Sequence, residues 1–284
     1  MTVSVCIFAH NEERLLPECV DALDSAAAGA PYAVHILVNG CTDHTGDVAT
    51  SLAAADARLT VHTLPVADKA NAWNDYVQRL APKADAHVFI DGDVKPSKNA
   101  ISELAATLAA HPRAYAAAAL PATGRSRRQW TTNLYLDRHL SGNLYALSHE
   151  ALHAFRTRDL HLPYGAKGED GLIAYLLLTD LEGGEDDSHD ERVVVSDRAT
   201  FEFHSLLLNV HDLKTYHRRL KRYSERHFQK QALYPLLKRA GVQAMPESIY
   251  EIYTPEALAR LKPRTHPLYY LYDRATLSRL GRLT

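Results

Sequence analysis

Over its first 120 residues the chain alternates β-branched apolar runs with stretches of helical periodicity, and few folds accommodate that alternation. Val3-Ser4-Val5-Cys6-Ile7-Phe8-Ala9 reads as a buried strand. A helix opened by Asn11 follows, with Leu15, Leu16, Cys19, Val20 and Leu23 on one face. Further strands are expected at 34–38, 59–64, 87–90 and 115–120. Helices are expected at 45–55, at 69–80 behind an Asp68 cap, and at 97–110. Strands joined through helices make right-handed crossovers and a mostly parallel sheet, so the fold class is α/β. After Pro121 the alternation weakens into a basic loop at 123–130, a strand at 141–147, a helix from Glu150, a Gly- and acid-rich loop at 182–191 and a late strand at 192–203. From about residue 211 the chain turns helical, basic and aromatic. A soft boundary near 210 therefore separates an α/β domain (1–210) from a helical C-terminal extension (211–284).

Ligands of open α/β sheets bind beyond the carboxyl ends of the strands. Three polar groups stand there: Ala9-His10-Asn11-Glu12, Asn39-Gly40-Cys41-Thr42-Asp43 and Asp91-Gly92-Asp93. Two carboxylates separated by one glycine suit a hard divalent cation, which takes oxygen ligands and commonly bridges protein to substrate phosphates. A net charge of −2 over 284 residues argues against a nucleic-acid binder. The three cysteines, Cys6, Cys19 and Cys41, match no disulfide or zinc spacing and point to a reducing compartment. No apolar run approaches the roughly 18–20 residues of a membrane span, and the N-terminus lacks a basic leader. A cytoplasmic protein is expected.

The ordered set of these motifs resembles family 2 glycosyltransferases with the GT-A fold, over roughly residues 3–205. Residues 5–13 resemble that family's first strand and polar exit, and 38–43 its second strand end. Lys69-Ala70-Asn71-Ala72-Trp73-Asn74 resembles its Lys-Gly-x-Ala-x-Asn helix start, with Ala70 where glycine is usual. Asp91-Gly92-Asp93 resembles its metal motif, Ser141-Gly142-Asn143 its acceptor-side segment, and Gly168-Glu169-Asp170 the Glu-Asp pair that opens a helix.

The resemblance implies a GT-A-like, Rossmann-like sheet flanked by helices and a metal-dependent, inverting transfer of one sugar from a nucleoside diphosphate sugar, with a UDP-sugar put first. It implies Ala9, Asn11, Glu12, Asn39, Asp43, Lys69, Asp91, Gly92 and Asp93 at the nucleotide sugar. Asp93, Asp91 and His204 are implied for Mn²⁺ or Mg²⁺, Asp170 as base, and Glu169 as the residue orienting the acceptor. Ser141, Gly142 and Asn143 are implied on the acceptor side. The acceptor stays open among glycans, lipid-linked glycans and small molecules. Arg219-Leu220-Lys221-Arg222-Tyr223 resembles a degraded Gln-x-x-Arg-Trp motif of processive members, and no membrane helices follow it, so addition of one sugar fits better. The amphipathic helix at 211–230 carries Lys214, Arg218, Lys221, Arg222 and Arg226 on its polar face, which leaves open a peripheral contact with an anionic membrane.

Other readings compete. Asp91 and Asp93 also fit the Asp-x-Asp of a haloacid-dehalogenase-type phosphatase, although that motif usually ends the first strand and here ends the fourth. His149-Glu150-Ala151-Leu152-His153 is a literal H-E-x-x-H, and tightly held zinc would favour a metallopeptidase. A nucleotidyltransferase would need a Gly-rich loop where residues 9–14 run Ala-His-Asn-Glu-Glu-Arg. A non-catalytic nucleotide-binding module would bind without turnover.

Overall fold

A computed structural model describes residues 1–185, 189–203 and 210–282. Eight strands form one mixed, mostly parallel sheet: β1 (Val3–Ala9), β2 (Tyr32–Asn39), β3 (Leu59–Leu64), β4 (Ala86–Asp91), β5 (Val94–Pro96), β6 (Ala116–Pro121), β7 (Leu144–Ser148) and β8 (Val193–Phe203). Their order is β3-β2-β1-β4-β7-β6-β8-β5. The β1–β2, β2–β3, β1–β4 and β6–β8 pairs are parallel, and β7 runs antiparallel to β4 and β6.

Period-2 side-chain alternation builds two cores from each central strand. Val5, Ile7, Val88 and Ile90 point into one, against α5 (Ala100–Ala110). Cys6, Phe8 and Phe89 point into the other, where Trp73, Tyr145 and Phe155 pack their rings. With both faces covered, these strands are mostly apolar, as parallel strands are, and their buried Ser4 and His87 both bond to the Tyr76 hydroxyl.

Several expectations shift. The first helix does not open at Asn11, whose φ of 60° lies in the left-handed region. The chain instead turns there and forms α1 (Leu16–Asp21), with a proline in its first turn, and α2 (Leu23–Ala27). α3 (Thr45–Ala55) matches the expected bounds. Asp68 caps α4 (Lys69–Asp75) by accepting from the Asn71 N–H at 2.8 Å, and a π-turn carries the helix on to Leu80. α5 starts at Ala100 rather than 97, because Asn99 is left-handed and 94–96 pair with β8 as a short strand. The expected basic loop at 123–130 is partly helical: α6 (Arg127–Leu136) forms where Trp130 and Leu134 find apolar cover. α7 (His149–Thr157) and α8 (Glu169–Leu178) follow.

Every residue of α8 from Gly171 to Leu178 is buried. A helix apolar all round needs cover on every side, and α9 (Val210–Ala240) supplies part of it through Phe228, Leu233 and Leu237. α10 (Pro255–Arg260) and α11 (Pro267–Leu280) complete the chain, and Leu261 and Leu280 join the same core cluster. The division near 210 thus marks where the sheet ends, while the core runs on into the extension. Among the described residues, no helix is long and apolar enough to cross a membrane.

Candidate active site

Parallel register brings the polar strand ends together. Ala9 lies opposite Val38 and Phe8 opposite Asp91, so β1, β2 and β4 finish side by side. They open into a cleft of about 1170 Å³. Its floor carries Glu12, Asn39, Lys69, Asp91, Gly92 and Asp93. Its far wall comes from the segment leading into α6 and from α9, with Arg125, Arg127, Trp130, Arg219, Arg222 and Tyr223.

The acidic side of the cleft is crowded. Burial pushes Glu12 up to about 8, and the neighbouring charges of Asp93, Asp91 and Asp43 add to it. Burial also lifts Asp91 to about 6, against the pull of Lys69 and with a further push from Asp93. Carboxylates that hold one another's protons this way are short of positive charge, and their donor atoms are all oxygen. That chemistry fits Mn²⁺ or Mg²⁺. No group of three or more His, Cys, Asp or Glu poised as a metal cage occurs among the described residues. One or two carboxylates with substrate phosphates and water are the usual alternative for such a cation. His204, the expected third ligand, lies outside the described residues.

Lys69 ties the two halves of the site together. The Asp68 cap sets it at the first position of α4. Its Nζ donates to Asp91 Oδ1 at 2.5 Å, Glu169 Oε1 at 2.9 Å and the Gly142 carbonyl at 2.9 Å. An ammonium has three donors, and all three are used. Burial works against the charge, but the Asp91 and Glu169 carboxylates outweigh it and hold the lysine protonated.

Asp170 stands in the first turn of α8, where a carboxylate also benefits from the helix dipole. Its Oδ1 accepts from an Arg226 Nη at 3.3 Å. Burial pushes its carboxyl up, but Arg226 and Lys69 bring it below the usual carboxylate range. Glycines make room on both sides. A Cβ on Gly142 would lie 3.1 Å from Asp170 Oδ2. Gly168 has a φ of 82°, and a Cβ there would stand 2.2 Å from Arg226 Nε. No other residue lets the Arg226 guanidinium lie against the start of α8 in this way.

The remaining expected residues divide into cleft and frame. Asn143 faces the cleft, and its carbonyl accepts from the Asp91 N–H at 3.1 Å. Ser141 is buried, and its Oγ has no hydrogen-bond partner among the described residues. Ala9 is buried within β1, and its carbonyl accepts from Cys41 Sγ. Asn11 Oδ1 accepts from the Thr42 N–H at 2.8 Å. Asp43 does not line the cleft: its oxygens accept from Thr45 Oγ1 at 2.6 Å, the Thr45 N–H at 3.1 Å and the Glu13 N–H at 3.3 Å. Asn11 and Asp43 therefore lace the β1 and β2 exits to each other and hold the floor in place. Sequence reasoning missed the Arg226–Asp170 pair and the bridging of Asp91 to Glu169 by Lys69. Each joins residues more than 20 positions apart, and the one trace of the first was a basic helix face.

A twisted α/β sheet with an acidic Asp-Gly-Asp exit, facing Glu169 at the start of α8 across one cleft with Asp170 just behind it, defines a glycosyltransferase of the GT-A type. Residues 4–166 match the glycosyl transferase family 2 model, and the chain belongs to that family. Three similar solved structures share the fold. The mannosyltransferase PcManGT from Pyrobaculum calidifontis, solved with GDP-Man and Mn²⁺, is 17% identical with a TM-score of 0.61, covering 99% of this chain and 75% of its own. Glucosyl-3-phosphoglycerate synthase from Mycobacterium tuberculosis, solved with Mn²⁺, UDP and phosphoglyceric acid, is 20% identical (TM-score 0.52; 79% and 78% covered). S. aureus TarS, solved with UDP-GlcNAc, is 13% identical (TM-score 0.53; 100% and 90% covered). Among curated proteins none matches. Family membership decides against the phosphatase and peptidase readings; His149 and His153 simply stack their rings one turn apart on α7.

Proposed function

We propose that the chain transfers one sugar, with inversion, from a nucleoside diphosphate sugar to an acceptor hydroxyl. The observation that carries this is the opposition of two differently tuned acidic groups across Lys69: the crowded strand-end carboxylates on one side and the ionised Asp170 on the other. The donor lies over the ends of β1, β2 and β4, with Asn39 and Glu12 toward the nucleoside. Asp93, with Asp91 beside it, would hold a divalent cation, whose Lewis acidity would offset the charge of the leaving diphosphate. Lys69 orients Asp91 and Glu169, and Glu169 directs the acceptor. Asp170 accepts the acceptor's hydroxyl proton as its oxygen attacks the anomeric carbon from the face opposite the diphosphate. A single displacement needs one base and no second carboxylate nucleophile, in contrast to retaining glycosidases. UDP-sugars are put first as donors, since two of the three structures above hold UDP or a UDP-sugar and one holds GDP-Man. The basic face of α9 supports work at the cytoplasmic face of an anionic membrane.

Thermal shift with UDP- and GDP-sugars, each with Mn²⁺, Mg²⁺ or chelator, tests the reading, because a ligand that binds only the native state raises its stability. A shift by one nucleotide sugar that needs the cation is expected. A shift by phosphate mimics with Mg²⁺ and by no nucleotide sugar would overturn it.

A further inference from the structure

One half-buried charge beside the base has no task in the mechanism above. Lys230 sits one turn beyond Arg226 on the same face of α9, and both lie over Gly171: a Cβ there would be 3.4 Å from an Arg226 Nη and 3.7 Å from Lys230 Nζ. Lys230 is half-buried, and no hydrogen bond or ion pair holds it among the described residues. Its Nζ lies 5.8 Å from the centre of the Tyr234 ring, which stacks on Tyr175. An exposed lysine extends into water; this one is folded back beside a guanidinium. Burial and Arg226 both weaken its charge, and Asp170 and the exposed Asp137 only partly restore it.

The charges beside the base are unevenly paired. Lys69 is taken by Asp91 and Glu169. Asp170 answers Arg226, and does so with one oxygen at 3.3 Å, leaving the other guanidinium N–H groups free of hydrogen-bond partners among the described residues. Burial and Lys230 push the His139 imidazole toward its neutral form, and in neither form can it answer a cation. Lys230 is left over, with unused donors of Arg226 beside it. A half-buried cation pair of this kind calls for an anion, and charge-assisted bonds from a guanidinium and an ammonium suit phosphate or carboxylate.

We propose that Arg226 and Lys230 form the anion-recognition element of the acceptor subsite, so that the acceptor carries a phosphate or carboxylate near the hydroxyl it presents to Asp170. This rests on Asp170 being the base. The anion draws part of Arg226 toward itself as the acceptor hydroxyl arrives at Asp170, and acceptor charge and base are thereby read together.

The test is binding of matched probes to the full chain saturated with UDP and Mn²⁺, so that the donor's own diphosphate site is occupied. Glycerol 3-phosphate, glycerate and glucose 6-phosphate are compared with glycerol and glucose by calorimetry and thermal shift. Saturable binding by charged probes and none by neutral ones is expected, with phosphate against carboxylate distinguishing the anion. Lys230→Gln weakens that binding about tenfold or more and leaves the UDP–Mn²⁺ shift unchanged, while Lys230→Arg restores it. Equal binding of neutral and charged probes, or charged-probe binding unaltered by Lys230→Gln, overturns the proposal. Asp170→Asn separates the two readings: full transfer activity in that variant sinks the base assignment, whereas the probe-binding result stands independently of turnover.

Discussion

Lys69→Met removes the one cation that three acceptors share. The variant keeps the stem's bulk and strips the charge from Asp91, Glu169 and the Gly142 carbonyl, at 2.5, 2.9 and 2.9 Å. Breaking a fully buried pair costs about 3–5 kcal/mol, because the abandoned charge stays desolvated. Here the lysine side chain is 25% exposed and the two carboxylates 29% and 11%, so water recovers part of the loss. A discount for that screening leaves about 2–3 kcal/mol. At about 2.1 cal/mol/K per residue, unfolding 284 residues carries about 0.6 kcal/mol/K. The melting temperature should therefore fall by about 3–5 °C. Calorimetry in chelator, so that no cation substitutes for the ammonium, measures it. The companion is Glu169→Gln in the Lys69→Met background, which removes one of the stranded charges and recovers about 1 kcal/mol relative to additivity. A Lys69→Met melting temperature within a degree of the parent, or strict additivity of the pair, would refute the bridge as a coupled unit.

Asp93→Ala should abolish the cation-dependent thermal shift by nucleotide sugar. Asp170→Asn should keep that shift and lose about 10²–10⁴-fold in transfer rate, measured by release of the nucleoside diphosphate; wild-type transfer by this variant would refute the base. Away from the site, two histidines oppose folding in acid. Burial holds His35 down at about 4, with His62 adding to the effect, and holds His87 at about 3, with Arg156 adding to it. Below the ordinary value of 6.5 the unfolded chain therefore binds protons that the folded one refuses. The histidines' share of the stability is complete above that pH and declines as it falls toward 4, by about 1–2 kcal/mol per histidine at pH 5. Glu12 and Asp91, lifted to about 8 and 6, take up protons in the folded state and oppose this loss, so the histidines are followed singly: their ring C–H NMR signals should stay unshifted from pH 7.5 to 5, and titration of either near 6.5 contradicts the reading. Arg218→Glu with Lys221→Glu, both on the exposed face of α9, should reduce sedimentation with anionic vesicles and leave neutral vesicles unaffected, at about 1 kcal/mol per charge; equal sedimentation with both vesicle types would refute the membrane contact.

Local chemistry made much of the fold readable. Val3 to Ala9 is buried at every position and apolar at all but Ser4, and Ala86 to Ile90 stays buried with it, because both faces of a parallel strand are covered. Asp68 announced α4 as a side-chain cap, and Asp91-Gly92-Asp93 announced the acidic strand end, since such signals depend on neighbours a few positions apart. Where backbone conformation alone decided, as at left-handed Asn11 and Asn99, helix starts were read too early. The motif residues themselves were legible. Their working states were not: Lys69 reaches Gly142 across 73 positions and Arg226 reaches Asp170 across 56, with no periodicity to mark either pairing. Asp43 looked like a ligand-facing acid, and the fold spends its oxygens on Glu13 and Thr45. Sequence by itself determined which residues stand at the strand ends, because hydrophobic period and turn chemistry are local. Which carboxylate is paired, which is ionised and which cation is left over was decided only by tertiary structure, because charge acts through space and burial sets its strength.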